Sequence, residues 1–286
     1  MPDHPFAVVS ARDGALSADD HAAVLASLRE LGAAVVLGAT DLDHVDALRE
    51  AMLASLPRAQ AQPKALDVTG HVQHNPPVSG EHLYADIAAN PIALAVAKDL
   101  LGPVQLAVYT GNTMLGGTTE QQPVHWDYPQ LWPSADVPLP PPQLTVNIPL
   151  QDVRVDNGAL EVWPGTHLDN RSGEQHAIEL YSAPLDWVEA RRAEVPPVRV
   201  PVPKGALLLR DGRMWHRGTT NATAEPRVMV AIAYHARWFR PMVVDFHDGA
   251  RDAVAALGVP VAARYRADDF DDQVWPPPAR LVPEPA

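Results

Sequence analysis

The sequence predicts a mainly β fold with flanking α: a double-sheet jelly roll with helices packed outside it. Helical spacing of apolar residues dominates up to about residue 103. From Val104 onward, short apolar runs alternate with Pro- and Gly-rich turns. Early helices followed by many short strands point to two packed sheets with helices on their outer side. No internal repeat and no linker composition interrupts the 286 residues. The chain therefore reads as one domain, 1–286, with an N-terminal helical part at about 17–103, a β core at about 104–240 and an irregular arm at 276–286.

Ser17, with Asp20 three residues on, predicts a capped helix over Ala18–Leu31 that Gly32 ends. Ala33–Leu37 reads as a strand. Thr40 is placed to cap a second helix that stops at Pro57. Asn90-Pro91 opens a third, Ile92–Leu101, closed by Gly102. Strands are expected at Val104–Thr110, Leu144–Leu150, Ala159–Val162, Val198–Val202, Ala206–Leu209 and Val228–Tyr234. Along the last, Arg227, Met229, Ala231 and Ala233 share the small or polar face expected of a pocket wall. Val228, Val230, Ile232 and Tyr234 share the core face.

Composition narrows the function. With no cysteine, thiolate metal sites, disulfides and cysteine nucleophiles are excluded. A net charge of −13 argues against nucleic acid as a partner. No secretory signal and no apolar run of membrane-spanning length is visible, so a soluble, cytoplasmic protein acting on a small molecule is expected. Oligomeric state is not legible.

His-x-Asp triplets occur at His44/Asp46, His125/Asp127 and His167/Asp169. Composition alone produces such a triplet about once, so context must choose among them. His44 and Asp46 sit in a helical pattern, where positions i and i+2 face apart. His167/Asp169 follows a Pro164-Gly165 turn, where a solvated or capping role is expected. His125 and Asp127 follow Gln121-Gln122-Pro123-Val124 in an extended stretch, where i and i+2 share a face and Trp126 points the other way. His216 leaves a buried strand after the Asp211-Gly212 break. Two imidazoles and one carboxylate can occupy one face of an octahedral metal, as in non-haem Fe(II) oxygenases. Arg227, eleven residues after His216, is suited to pair with a ligand carboxylate.

These residues carry a resemblance. His125-x-Asp127, the stretch Asp156-Asn157-Gly158-Ala159-Leu160-Glu161-Val162-Trp163-Pro164-Gly165-Thr166-His167, and His216 with Arg227 together resemble the phytanoyl-CoA dioxygenase family over roughly residues 20 to 240. Gly111-Asn112, Gln122-Pro123-Val124-His125, Leu131-Trp132-Pro133 and Arg210-Asp211-Gly212-Arg213-x-Trp215-His216-Arg217 are most like the kanamycin B dioxygenase group. The resemblance implies a double-stranded β-helix of cupin-like form, with Fe(II), 2-oxoglutarate and O2. It implies His125, Asp127 and His216 as iron ligands and Arg227 as the 2-oxoglutarate anchor. A tryptophan common in the family beside the cosubstrate is replaced here by Asn147, which can donate to a carboxylate or hydroxyl. Asn112 is a second candidate of that kind. Related halogenases carry a small residue where Asp127 stands, so halogenation is not expected.

The implied activity is oxidation, by hydroxylation or dehydrogenation, of a small polar secondary metabolite, an aminoglycoside-like natural product if the closer resemblance holds. Epimerisation, cyclisation or desaturation with the same cofactors, and a non-catalytic binding protein on the same fold, are the alternatives. His71, Gln73, His74 and Asn75 read as a binding loop or solvated loop within Gly70–Gly80, and His82, Tyr84, Tyr128 and Trp132 as pocket or core aromatics. A polyamine substrate calls for carboxylates besides Asp127, for which Glu81, Asp86 and Asp136 are available.

Overall fold

Strand β10 (Arg227–Ala236) is buried along its whole length, yet its two faces meet different surroundings. Val228, Val230, Ile232 and Tyr234 join a large apolar core, as the alternation predicts. Arg227, Met229, Ala231 and Ala233 line a cavity on the other side. The computed structural model describes residues 4–61, 69–132, 135, 137, 139–173 and 182–267.

β10 is the third strand from one edge of a seven-stranded sheet. The order is β1 (Ala7–Ser10), β2 (Ala33–Leu37), β8 (Leu207–Asp211), β5 (Gln143–Pro149), β10, β4 (Val104–Met114), β3 (His71–Gln73). Only the β1–β2 pair of this sheet is parallel. A second sheet, in the order β7 (Val198–Val200), β6 (Leu160–Val162), β9 (His216–Arg217), packs over the cavity-side face. Leu160, Val162 and Val200 from it meet Ala33, Val35, Leu208 and Met229 of the large sheet. A parallel pair, β11 (Val243–His247) with β12 (Ala262–Arg266), forms a third, two-stranded sheet whose Val244 and Phe246 join the main core.

Helices cover the opposite face. They are α1 (Ala18–Glu30), α2 (Leu42–Gln60), α3 (Ala85–Ala88) and α4 (Pro91–Leu101), joined later in the chain by α6 (Arg251–Ala256), whereas α5 (Leu185–Glu194) packs its Val188 against Trp126, Trp163 and Trp215. Val24, Leu28, Val45, Leu48, Met52 and Val96 pack on the core face of β5, β8 and β10. Each such side chain contributes about 1.5–3 kcal/mol on full burial. Helices and strands contribute comparably, and the sheets do not close into a barrel, so the class is mixed α/β rather than mainly β.

Local signals account for most boundaries. Ser17 Oγ accepts the Asp20 amide at 3.1 Å, and Gly32, at φ +89°, ends α1 where a Cβ would lie 2.7 Å from His167 Nδ1. Asn90 accepts the Ile92 and Ala93 amides at the start of α4. Two expectations are corrected in α2. Asp41, not Thr40, is its cap, because Thr40 donates instead to Gly205 O at 2.7 Å. The helix also passes through Pro57 to Gln60, since Leu56 and Ala59 are buried against Val72 of β3. The segment from 71 to 73, expected as a loop, is the edge strand β3, paired to β4. β1, α5, α6, β11 and β12 carry too little periodicity to have been expected. The arm at 276–286 lies outside the described residues.

Candidate metal centre

His125 and His216 face one another across a single antiparallel bridge. The His125 amide donates to His216 O at 2.9 Å and the His216 amide to His125 O at 2.8 Å. The Asp127 and Tyr128 amides then both donate to Gly212 O at 2.9 Å, hooking the chain so that Asp127 turns back towards the histidines. The expected extended stretch is thus one bridge residue followed by a bend. Ligand atoms of His125, Asp127 and His216 all lie within 4.8 Å of one another, and Asp127 Oδ1 is 3.5 Å from His216 Nε2. Trp126 points the opposite way, into a cluster with Trp163 and Trp215.

Hydrogen bonds select the tautomers. His125 Nδ1 donates to Pro123 O at 2.9 Å, and His216 Nδ1 lies 3.0 Å from Met214 O. With Nδ1 as the donor, each imidazole carries its lone pair on Nε2, the form metal ligation demands, and His216 Nε2 faces Asp127 Oδ1. Arg210 Nη1 lies 3.1 Å from His216 Nδ1, and the tautomer that serves Met214 O leaves this a non-bonded contact. Burial, with Arg210 and His125 nearby, holds the His216 pKa well below the ordinary histidine value against the opposing pull of Asp127. Burial alone would raise the Asp127 carboxyl; Arg210, both histidines and the Thr145 hydroxyl outweigh it and hold it well below the usual carboxylate range. Neutral imidazoles beside an ionised carboxylate are the protonation states a divalent cation needs.

A cavity of about 460 Å³ opens from this cluster over the large sheet. Its walls follow the strand register. Arg210, Thr145, Ala233 and Val108 form one cross-strand row, and Asn147, Ala231 and Thr110 the next. Met229, Asn112 and Gln73 follow, then Arg227 and His71, which are both in register with Met114. Arg227 is 1 % exposed. Its Nη1 donates to Asn112 O at 3.4 Å, its Nε has no partner, and it forms no ion pair with a described residue. Burial pushes its pKa down to about 10, which leaves it a cation at neutral pH. A buried guanidinium without a counter-charge is costly until an anion pairs with it. Asn147 Oδ1 and Thr110 Oγ1 are likewise buried without partners, on either side of the small Ala231.

The site residues expected from sequence meet here: His125, Asp127, His216, Arg227, Asn147 and Asn112 all line the cavity. The Asn112 carboxamide is already engaged by His71. Of the polar segment before Pro76, His71 and Gln73 face the cavity. His74 is buried on the other side against Met52 O. Tyr128 lines the cavity, while Tyr84 stacks on His44 and Trp132 is exposed. His44 pairs with Asp86, whereas Asp46 pairs with Lys204, so that triplet is divided. His167 is buried rather than solvated, with Nε2 donating to Arg29 O.

Sequence reasoning gave no role to Arg210, Thr145, Gln143 or Gln122. Period-two phasing puts Thr145 on the face of Asn147, and carried one step further back it would have found Gln143. Arg210 ends an apolar run and is in phase with Leu208, a signal easily taken for the end of the strand.

The family model described as Phytanoyl-CoA dioxygenase (PhyH) matches residues 28–229, a span that takes in the triad and Arg227.

Proposed function

The chain belongs to the phytanoyl-CoA dioxygenase (PhyH) family, whose members are Fe(II)/2-oxoglutarate-dependent dioxygenases, and from that premise we propose that it oxidises a small polar molecule at the His125–Asp127–His216 centre. The observation that carries this reading is the uncompensated, buried Arg227 in the same cavity as a complete His/Asp/His set. The donor set suits Fe(II) in chemistry as well as in shape: two neutral imidazoles, one carboxylate and no thiolate. Bound there, Fe(II) and 2-oxoglutarate supply O2 activation coupled to oxidative decarboxylation.

The chain's own residues do the rest. His125, Asp127 and His216 would hold the metal. Arg227 would pair with the distal carboxylate of 2-oxoglutarate, for which its guanidinium offers more than one donor where a lysine offers a point charge. Asn147 and Thr110 offer hydrogen bonds across Ala231 to the cosubstrate or to a substrate hydroxyl. The two sheets correspond to the major and minor sheets of a double-stranded β-helix, and the chain reads as one such domain. The cavity volume falls within the roughly 300–1,000 Å³ of small-molecule sites.

The wall also bears on substrate. Among the described lining residues Asp127 is the only carboxylate. Glu81 is exposed beside His82, and Asp86 is held by His44. Asp136 lies outside the described residues. A polycationic, aminoglycoside-like substrate therefore meets no carboxylate besides the metal ligand Asp127 among the described lining residues. A neutral, hydroxyl-bearing molecule matches His71, Gln73, Asn112 and Gln122.

The test is turnover of purified protein with Fe(II), 2-oxoglutarate and O2, assayed for succinate. Slow succinate release without added substrate, abolished by a chelator and absent in Asp127→Asn, is the expected result. Chelator-insensitive or absent succinate formation contradicts it. Once a stimulating substrate is found, product analysis separates hydroxylation from desaturation, epimerisation and cyclisation.

A further inference from the structure

The two oxygens of Asp127 are treated differently. Oδ2 accepts from Arg210 Nη2 at 2.9 Å and from Thr145 Oγ1 at 2.8 Å. A carboxylate oxygen offers about two lone-pair sites, so these donors fill it. Oδ1 has no hydrogen-bond donor among the described residues and faces His216 Nε2 at 3.5 Å. Only Oδ1 is left for a cation.

The donors are themselves fixed. Gln143 Nε2 donates to Thr145 Oγ1 at 2.8 Å, so the Thr145 hydroxyl must spend its one proton on Asp127. Gln143 Oε1 in turn faces His235 Nε2 at 2.9 Å, while His235 Nδ1 lies 3.2 Å from Arg240 O. In the tautomer that carries its proton on Nε2, His235 holds the amide in this orientation, and Gln143 and Thr145 form a chain of donors that ends on Oδ2. Arg210 reaches the same oxygen from the neighbouring strand β8 and is 2 % exposed.

The denticity of this carboxylate decides how many positions the metal keeps open. With one oxygen from Asp127 and two imidazoles, an octahedral ion retains about three open positions, enough for a bidentate cosubstrate and O2. A second Asp127 oxygen would take one of them. Resting on the metal-centre reading above, we propose that Arg210 and Thr145 are positioning residues that hold Asp127 to a single metal–oxygen contact and so preserve the third open position.

The experiment uses Mn(II) alone as the probe, followed by 2-oxoglutarate, with water-proton relaxation reporting exchangeable waters on the bound ion. The variants are Arg210→Met, Arg210→Lys and the near-isosteric Thr145→Val, which keeps the buried cation and its fold. Wild type is expected to show about three exchangeable waters and Arg210→Met about one fewer, with 2-oxoglutarate binding weakened on the order of tenfold. Thr145→Val should move both readouts the same way by less, and Arg210→Lys should restore part of the loss. Unchanged water numbers and cosubstrate affinity in Arg210→Met and Thr145→Val, with only thermal stability lowered, would reduce both residues to structural roles and overturn the proposal. Complete loss of Mn(II) from Arg210→Met would also overturn it, since that residue would then assemble the site rather than set its denticity. A wild-type protein that binds no Mn(II) would instead sink the metal-centre reading itself.

Discussion

Ile148 and Asn147 are neighbours on β5, both buried, and they face opposite sides of one sheet. Ile148 packs among helix side chains and strand residues of the main core. Asn147 faces the cavity with its carbonyl oxygen unpaired. The same contrast runs across the sheet. On the helix face, buried polar groups are largely satisfied: Asn90 makes four hydrogen bonds, and Tyr234 donates to Ala88 O. Tyr109 OH is an exception there. On the cavity face, Arg227 Nε, Arg210 Nε, Asn147 Oδ1 and Thr110 Oγ1 all lack partners. Buried polar groups left unpaired cost roughly 1–3 kcal/mol each. The helix face serves stability, and the cavity face gives some of it up to wait for a ligand.

The comparison is broken most severely at the metal ligands. Asp127→Asn should abolish stoichiometric Fe(II) retention, measured by metal analysis after desalting, an effect beyond the roughly 10–100-fold of outer-shell changes. Retention of one Fe(II) per chain in that variant would remove Asp127 from the ligand set.

On the helix face, Ile148→Ala should cost about 2–5 kcal/mol of unfolding free energy in urea, through lost burial and a cavity. Its 2-oxoglutarate affinity should stay at the wild-type value. One residue away, Asn147→Leu should change unfolding free energy by less than about 1 kcal/mol, or raise it, because a buried orphan oxygen is replaced by an apolar group of similar volume. Equal destabilisation by the two substitutions would erase the difference between the faces.

Arg227→Met sharpens the contrast within the cavity. Cosubstrate binding should weaken by about 1.5–3 kcal/mol, the range of hydrogen bonds to charged groups. The ligand-free protein should become no less stable, since an unpaired buried cation is removed. Calorimetric titration with 2-oxoglutarate and thermal melting of the same sample check the two halves.

The smallest expected effect is on pH dependence. Burial is the chief cause that holds His74, His167, His216 and His235 below the ordinary value of 6.5 in the folded chain. Below that value the unfolded chain binds more protons than the folded one, so stability rises with pH across this range and falls as the histidines are forced to charge. The melting temperature of the metal-free protein should therefore drop between about pH 7.5 and about pH 5.5. A flat or rising profile over that window would show that these histidines are not held neutral.

Much of this was legible in the sequence because period-two alternation shows on the strands themselves. The division of β10 into Arg227, Met229, Ala231 and Ala233 against Val228, Val230, Ile232 and Tyr234 follows from spacing alone. So does the rejection of His44/Asp46. What escaped depends on contacts distant in sequence. Arg210 gains its meaning only when the bend at Asp127 brings that carboxylate beside β8, 83 positions away in the chain. The edge strand β3 has three residues and pairs with β4 about forty positions on, too short for any periodicity to reveal. Pro57 looked like a helix stop because local propensity was weighed without the burial of Leu56 and Ala59.

The central claim is that one cavity joins a His125/Asp127/His216 metal centre to an Arg227 anchor for 2-oxoglutarate. Anaerobic titration of the metal-free protein with Fe(II) and then 2-oxoglutarate, watched for the visible metal-to-ligand charge-transfer band, tests it most directly. The account expects a saturable band in wild type, its loss in Asp127→Asn, and its persistence at higher 2-oxoglutarate in Arg227→Met. Iron bound in stoichiometric amount with no such band at any 2-oxoglutarate concentration would contradict it.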